Sequence, residues 1–478
     1  MILSWQCGQG RSLIVFISAS TVALTYFLGK RLYRSSIGIL AAFFLALNFL
    51  HVSESHYTRG HILATFFASL AAYFCIKIYE DARPRDYVFA GISVGLTVAA
   101  HIPLVILVLP LVVTHLLSKS AHQPNRSWAN WMMHRSFLLS LVMTAVAFLV
   151  VTPYALLDFW TFAGQLKFFF LEAAGQAWVS SEGQPILLFY LNEHLRQGVG
   201  IGLEVLALLG VGYALLQHRK RDWILLTFFA SLLVVITGKA NFARYALPLL
   251  PFLMLFAARL LSDGAGRLPV RWQMPILSVL ALLLVLPSVS RIVRFDYWLT
   301  QPDTRALAAD WFQKNVPAGA SVVVEGADVL GPDLPLDADL LNEAISRAEP
   351  DSLSAIYLQV LRKTASDGTG FRLKKIFRLN ETHQGTMTQL VENAAYYQQE
   401  GVEYLVTVNW MQRSPNDAYS PGFQASLDDL YQEIAVFEPT IYFRFDPYSW
   451  RMDYEALSQV RLGEAGVAGP RLIVYQLR

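Results

Sequence analysis

The fold is constrained above all by a succession of long apolar runs between Arg11 and about Arg291. A helix needs roughly 20 mostly apolar residues to cross the hydrocarbon core of a bilayer. Every backbone N–H and C=O must be bonded within such a segment, so only helices or closed barrels serve. The candidate spans are Ser12–Gly29, Ser36–Leu50, Ile62–Ile78, Tyr87–Ala100, Pro103–Leu117, Ser136–Pro153, Gly198–Leu216, Trp223–Thr237, Ala246–Leu261 and Met274–Val289. His101 and Pro103 separate the fourth from the fifth, and these two short runs read as one kinked pass or as a hairpin. The expected count is about ten, with an error of one.

Composition agrees. Of 478 residues, 54% are hydrophobic and only 15% charged, against about a quarter charged in a soluble domain. The net charge of +2 is too small to suggest nucleic-acid binding. The two cysteines form neither a disulfide framework nor a CxxC motif. From Arg294 onward the chain reads as a soluble α/β sequence. We therefore expect a polytopic α-helical membrane domain, residues 1–291, followed by a soluble α/β domain, residues 292–478.

Basic loops orient the membrane domain. They lie at Lys30–Arg34, around Lys77, Arg83 and Arg85, around Arg126 and Arg135, at Arg219–Arg221, and at Arg267 and Arg271. All five share one side, the cytoplasm, only if the fourth and fifth segments form a hairpin. His51–Gly60, Asp158–Gln197, Gly238–Tyr245 and the C-terminal domain then face outward, and the chain is expected to be a multi-pass protein of the plasma or inner membrane. The N-terminus falls outside as well. The main basic cluster follows the first apolar run, unlike the charge of a signal peptide. The expectation is a further helix upstream of Met1.

In the C-terminal domain, "DTRALAADWFQKNVPAGASVVVEG" reads as a capped helix, a turn and a strand. Asp303 or Thr304 caps the helix, with Ala306, Leu307, Trp311 and Phe312 as its buried stripe, and Val322–Glu325 is the strand. A second unit comprises a helix near Met387–Gln399, Gly401 at its end, and the strand Tyr404–Val408. Leu472–Gln476 is a closing strand. Leu330–Leu379 fits no simple pattern.

Candidate chemistry concentrates at the outer helix ends. "LHVSESHYTRGH" groups His51, Glu54, His56, Arg59 and His61. On a continued helix Glu54, His61 and His51 share a face that suits a divalent cation or a phosphate, while the plainer reading is a hydrated polar loop. His101 beside Pro103 either satisfies a carbonyl at a kink or meets a lipid headgroup. In "VTPYALLDFW", Tyr154 and Asp158 precede a long loop, and Asp158 either caps a helix or helps bind substrate. The aromatic residues Phe168–Phe170, Trp178 and Tyr190 of that loop suit a segment lying among headgroups. Arg244 and Tyr245 stand where a positive charge is unusual, and either grip a lipid phosphate or snorkel to the interface. No GxSxG, Gly-rich phosphate loop or HExxH occurs, so no nucleotide cofactor is expected.

Taken in order, "TYFLGKRLYRSSIGILAAFFLAL", "HVSESHYTRG", "TPYALLDF", "FARYALPLLPFL" and "DTRALAADWFQKNVPAGASV" resemble the GT-C superfamily of glycosyltransferases. The branch they resemble comprises bacterial relatives of protein O-mannosyltransferases and of the lipid A aminoarabinose transferase. The resemblance implies a membrane enzyme that passes a sugar from a polyprenyl-phosphate carrier to a lipid, glycan or protein acceptor on the outer face. It implies a carboxylate as base on the acceptor hydroxyl, and basic groups or a divalent metal at the departing phosphate. Glu54 and His56 are then the catalytic candidates, with Glu54 and His61 the candidate metal ligands. Arg59, His61, His101, Tyr154, Asp158, Arg244 and Tyr245 are the candidates for binding substrate. Relatives carry an acidic outer loop ahead of the segment matching Arg11 onward, and often lysine-tyrosine where this chain has His101-Ile102. A non-catalytic protein that binds polyprenyl lipid or a partner is the alternative. A transporter is less favoured, since no matching pair of interrupted halves is visible.

Overall fold

A computed structural model describes residues 2–118, 133–167, 185–237, 242–325, 331–350, 352–365, 370–376, 393–409, 421–441 and 454–478. The chain forms two compact units that divide between Val293 and Arg294.

The first unit is helical: α1 (Ile2–Leu32), α2 (Ser35–Ala46), α3 (Phe49–Ser55), α4 (Gly60–Asp81), α5 (Pro84–Ala100), a 3-10 turn (Ile102–Leu107) leading into α6 (Val108–Leu117), and α7 (Arg135–Val151). Two short helices follow, α8 (Tyr154–Leu157) and α9 (Phe159–Lys167). Then come α10 (Ile186–Val199), α11 (Ile201–Gln217), α12 (Lys220–Ile236), a 3-10 segment (Ala243–Leu249), α13 (Leu250–Ala265) and α14 (Val270–Leu299). Among the described residues, four helices are long and apolar enough to span a bilayer, six if each bent pair is one span. The count of about ten is thus not reached on this criterion. The runs are interrupted: α2 and α3 meet at 58°, α10 and α11 at 119°, and α6 with its 3-10 lead and α7 are apolar but short.

The fourth and fifth segments form a hairpin. The Tyr87 hydroxyl, near the start of α5, shares a 2.6 Å hydrogen bond with His115 Nδ1, near the end of α6. His101 is therefore at the hairpin tip. Close backbone approach organises the neighbouring helices: a Cβ on Gly91 would lie 2.2 Å from the Ser140 carbonyl oxygen, and one on Gly95 2.3 Å from that of Thr144. This GxxxG pair lets α5 and α7 pack at a distance that larger residues forbid.

Ion pairs gather at the end bearing the basic loops. Arg31 meets Glu80 at 2.7 Å, Lys77 meets Asp86 at 2.8 Å and Arg34 meets Asp263 at 3.2 Å. The fully buried Arg259 donates to Asp222 at 2.6 Å and to the Tyr33 hydroxyl at 3.2 Å, and Tyr33 donates to the same Asp222 oxygen at 2.8 Å. His51, Glu54, His61, His101 and Tyr245 belong to the opposite helix ends.

Among the described residues of the second unit, five strands order as β2-β1-β3-β5-β4. They are β1 (Ser321–Glu325), β2 (Arg372–Ile376), β3 (Tyr404–Asn409), β4 (Tyr431–Phe437) and β5 (Arg471–Leu477). β1 runs parallel to β2 and β3, and β5 antiparallel to β3 and β4. Alternation along β1 sends Val322 and Val324 to one core with Phe312, and Val323 to the other with Tyr397 and Leu427. The first helix of this unit, α15 (Thr304–Asn315), is capped by Asp303, whose carboxylate accepts from the Arg305 N–H. Its buried stripe is Thr304, Ala308 and Phe312. Ala306 and Leu307 are exposed, contrary to the sequence expectation, because the face packed on the sheet is set by Phe312 and repeats every four residues. Gly401, at φ 69°, closes the helix Ala394–Gln399, while 387–392 lie outside the described residues.

Candidate active site

The site is built where three separate segments end together. Asn48 caps α3 by accepting from the His51 N–H at 3.1 Å. The helix stops at Ser55 with His56 as its C-cap, and the chain turns through an extended Arg59 into α4. The expected continuous helix from His51 to His61 is therefore broken, and the three residues do not share a face. His51 points into the bundle, its Nε2 sharing a 2.9 Å hydrogen bond with Ser18. Glu54 accepts from Arg59 at 3.3 Å, and the Arg59 guanidinium lies 4.6 Å from the centre of the Tyr57 ring.

Gly60 lets the start of α4 meet the end of α5: a Cβ there would fall 2.7 Å from the Ala100 carbonyl oxygen. That contact sets His61 against the hairpin tip. The His61 and His101 rings lie edge to face at 4.9 Å, and Tyr245 joins both, 5.2 Å from His61 and 4.9 Å from His101. Arg244 spreads over the Phe242 ring at 3.9 Å and lies 5.5 Å from that of Tyr245. Phe242 is held by its carbonyl, which accepts from the Tyr190 hydroxyl at 3.0 Å. The charges of Arg59 and Arg244 act on both Glu54 and His61. Both ring nitrogens of His61 are buried without a hydrogen-bond partner.

Six of the candidate residues thus come together: Glu54, Arg59, His61, His101, Arg244 and Tyr245. Tyr154 and Asp158 stand exposed on α8 and at the entry to α9, and none of their described contacts reaches this cluster. Asp158 acts as a cap there, accepting from the Thr161 N–H at 3.4 Å. Phe168–Phe170 and Trp178 lie outside the described residues. Tyr57, Phe242 and Tyr190 support the site without having been singled out as ligands. The aromatic character of their segments was the only available signal.

For a divalent cation, the described residues offer Glu54 and His61 as the candidate ligands and no third. Zinc and its relatives take three or four ligands from His, Cys, Asp and Glu. No such group of three converges among the described residues. The cluster's carboxylate is engaged by Arg59, and two guanidiniums repel an added cation. The arrangement suits an anion: arginines that grip phosphate oxygens, an imidazole with an unspent N–H, and the N-terminus of α4, which no side chain caps.

Residues 9–155 match the family model described as dolichyl-phosphate-mannose-protein mannosyltransferase. The match takes in Glu54, Arg59, His61 and His101. ArnT from Cupriavidus metallidurans bound to undecaprenyl phosphate superposes with a TM-score of 0.55 at 12% identity, over 98% of this chain and 84% of that one. Its apo form gives 0.50 at 11% identity, over 97% and 83%. The Archaeoglobus fulgidus oligosaccharyltransferase in complex with zinc and sulfate gives 0.41 at 15% identity. The match takes in 83% of this chain, which spans only 56% of that longer protein. No curated protein matches by sequence. The chain has the fold of the GT-C glycosyltransferases, membrane enzymes with apolar helices.

Proposed function

We propose that this protein transfers a sugar from a polyprenyl-phosphate carrier to a lipid, glycan or protein acceptor at the outer face of the membrane. The observation that carries the reading is the meeting of Arg59 and Arg244 with Glu54, His61, His101 and Tyr245 at one set of helix ends. The undecaprenyl phosphate held by the ArnT structure supports it. In the reaction the acceptor oxygen attacks the anomeric carbon, the bond from that carbon to the phosphate oxygen breaks, and its electron pair stays on the phosphate. Arg59 and Arg244 stabilise that charge. Glu54 orients Arg59 with one oxygen and offers the carboxylate that takes the acceptor proton, with His56 on the same turn. The positive-inside rule, applied to the basic loops, supports cytoplasmic opposite helix ends and a site on the outer side.

Binding of undecaprenyl phosphate to the purified chain in detergent tests this reading. A charge-assisted hydrogen bond contributes about 1.5–3 kcal/mol, so Arg244→Ala is expected to weaken binding by about 10- to 100-fold. Absence of binding, or an unchanged affinity in the variant, removes the assignment. Binding by a chain that transfers no sugar from any polyprenyl-phosphate donor favours the non-catalytic reading.

A further inference from the structure

We propose that the connections α11–α12 and α13–α14, at the end bearing the basic loops, together bind the headgroup of an anionic phospholipid in the adjoining leaflet. The two connections leave from one place. The Tyr213 hydroxyl, in the last turns of α11, donates to Asp263 of α13 at 3.4 Å. A Cβ on Gly210, one turn earlier, would fall 2.4 Å from the Phe256 carbonyl oxygen, so the two helices touch at the backbone. Arg219 and Lys220 stand at the first connection, Arg267 and Arg271 at the second, and all four are exposed.

Their charge is not spent within the protein. The acids of these helix ends are engaged by other cations: Glu80 by Arg31 and Arg221, Asp81 by Arg83, Asp86 by Lys77, Asp222 by Arg259 and Asp263 by Arg34. Among the described residues none of the four has an acidic partner. The connection between α6 and α7, residues 119–132, lies outside the described residues; it carries Lys119 and Arg126 and no acid. Cations gathered in this way are drawn to the negative surface of a leaflet rich in anionic lipid, and a guanidinium can grip two phosphate oxygens at once.

The surroundings suit a lipid rather than a free anion. An indole accompanies each pair of cations. Trp223 is 40% exposed in the first turn of α12, and Trp272 is 51% exposed beside Arg271, whose guanidinium lies 5.9 Å from its ring centre. Such amphipathic rings favour the headgroup level of a bilayer. Gln273 donates to the carbonyls of Leu268 at 2.9 Å and Gly266 at 3.4 Å, which holds the second connection in shape. From there Trp272, Val279 and Leu286 recur at heptad spacing along one stripe of α14, each more than half exposed. A lipid whose phosphate meets Arg267 or Arg271 thus finds an apolar wall for its acyl chains.

The test uses the full chain, delipidated in dodecyl maltoside and titrated with phosphatidylglycerol or with phosphatidylcholine of the same acyl chains. Retained lipid is read by native mass spectrometry, and the melting temperature is followed in parallel. A basic residue near an anionic surface contributes about fivefold in affinity, so phosphatidylglycerol should be retained at least about tenfold better than phosphatidylcholine. Arg267→Gln with Arg271→Gln should lower phosphatidylglycerol affinity by about 25-fold, and Arg219→Gln with Lys220→Gln by a similar factor. Lipid-free melting temperatures should stay at the wild-type value. Equal retention of the two lipids, or selectivity that survives all four substitutions, overturns the proposal. Displacement of phosphatidylglycerol by millimolar inorganic phosphate overturns it too, in favour of a plain anion site. If the glutamine variants fail to fold, the wild-type chain decides: selectivity should vanish in about 1 M salt, where the Debye length is about 3 Å, and selectivity that persists there refutes an electrostatic surface. The sugar-transfer reading concerns the opposite helix ends, and its own binding test stands or falls separately.

Discussion

Replacing Asp222 with leucine should destabilise the membrane domain by about 3–5 kcal/mol, because it strands a charge that has nowhere to go. Arg259 is 1% exposed and its close carboxylate is Asp222, at 2.6 Å. The other carboxylate, Asp263, lies 3.7 Å from Nε. Tyr33 joins the pair by donating to Asp222 and accepting from Arg259. Removing Asp222 thus leaves a buried guanidinium and an unsatisfied phenol. Arg259→Met leaves the carboxylate instead and should cost a similar amount. The double variant should cost clearly less than the sum, since residues in direct contact do not contribute additively. Equilibrium unfolding in mixed micelles, followed by the fluorescence of the 11 tryptophans, measures all three. Arg83→Ala is the control: its 3.6 Å pair with Asp81 is exposed, so its loss should cost less than about 1 kcal/mol. Single variants costing under about 1 kcal/mol, or additive losses, would refute the reasoning.

Two further outcomes follow from packing and titration. Gly95→Leu should force α5 and α7 apart, since even a Cβ would sit 2.3 Å from the Thr144 oxygen. The expected cost is about 1–3 kcal/mol or more, seen as a lowered melting temperature or loss of monodispersity; an unchanged melt would contradict the packing. In the C-terminal unit, burial pushes the Tyr431 phenol up to about 12, and its hydroxyl donates to the Val402 carbonyl at 3.1 Å. The unfolded phenol ionises near 10, so this contribution is fully present below about pH 10 and is lost as pH rises toward 12. Tyr431→Phe should flatten the stability profile of the full chain across that window; a profile that keeps its slope would count against the assignment.

Much of the architecture was legible because the signals are local. Hydropathy marked apolar segments, and Asp303 declared a helix start. Three of the five strands, β1, β3 and β5, were visible as runs of Val, Ile, Leu and Tyr. The two that were missed, β2 and β4, are the sheet edges, where Lys374, Lys375, Gln432 and Glu433 break the apolar pattern as edge strands require. The count of about ten is not matched by the length criterion among the described residues, because several of the apolar runs fold as helices of 17 residues or fewer.

The candidate site was legible only as separate clues. Charge and residue type singled out Glu54, Arg59, His61, His101 and Arg244, since ionisable groups at a bilayer boundary demand a reason. Their grouping was misread at one point. A helix continued from His51 to His61 would align Glu54 with both histidines, but the turn after Ser55 sends His51 to Ser18 and Glu54 to Arg59. By itself, then, the sequence determined the apolar segments, the soluble α/β region and the polar residues that bear explaining, because each depends on neighbours a few positions away. Only the tertiary structure decided that the fourth and fifth segments turn back at His101, and that residues 61, 101 and 245 meet ring to ring. Those contacts join positions 40 to 184 apart in the chain, and that of His61 with His101 depends on the close approach of Gly60 to Ala100, which no local pattern encodes.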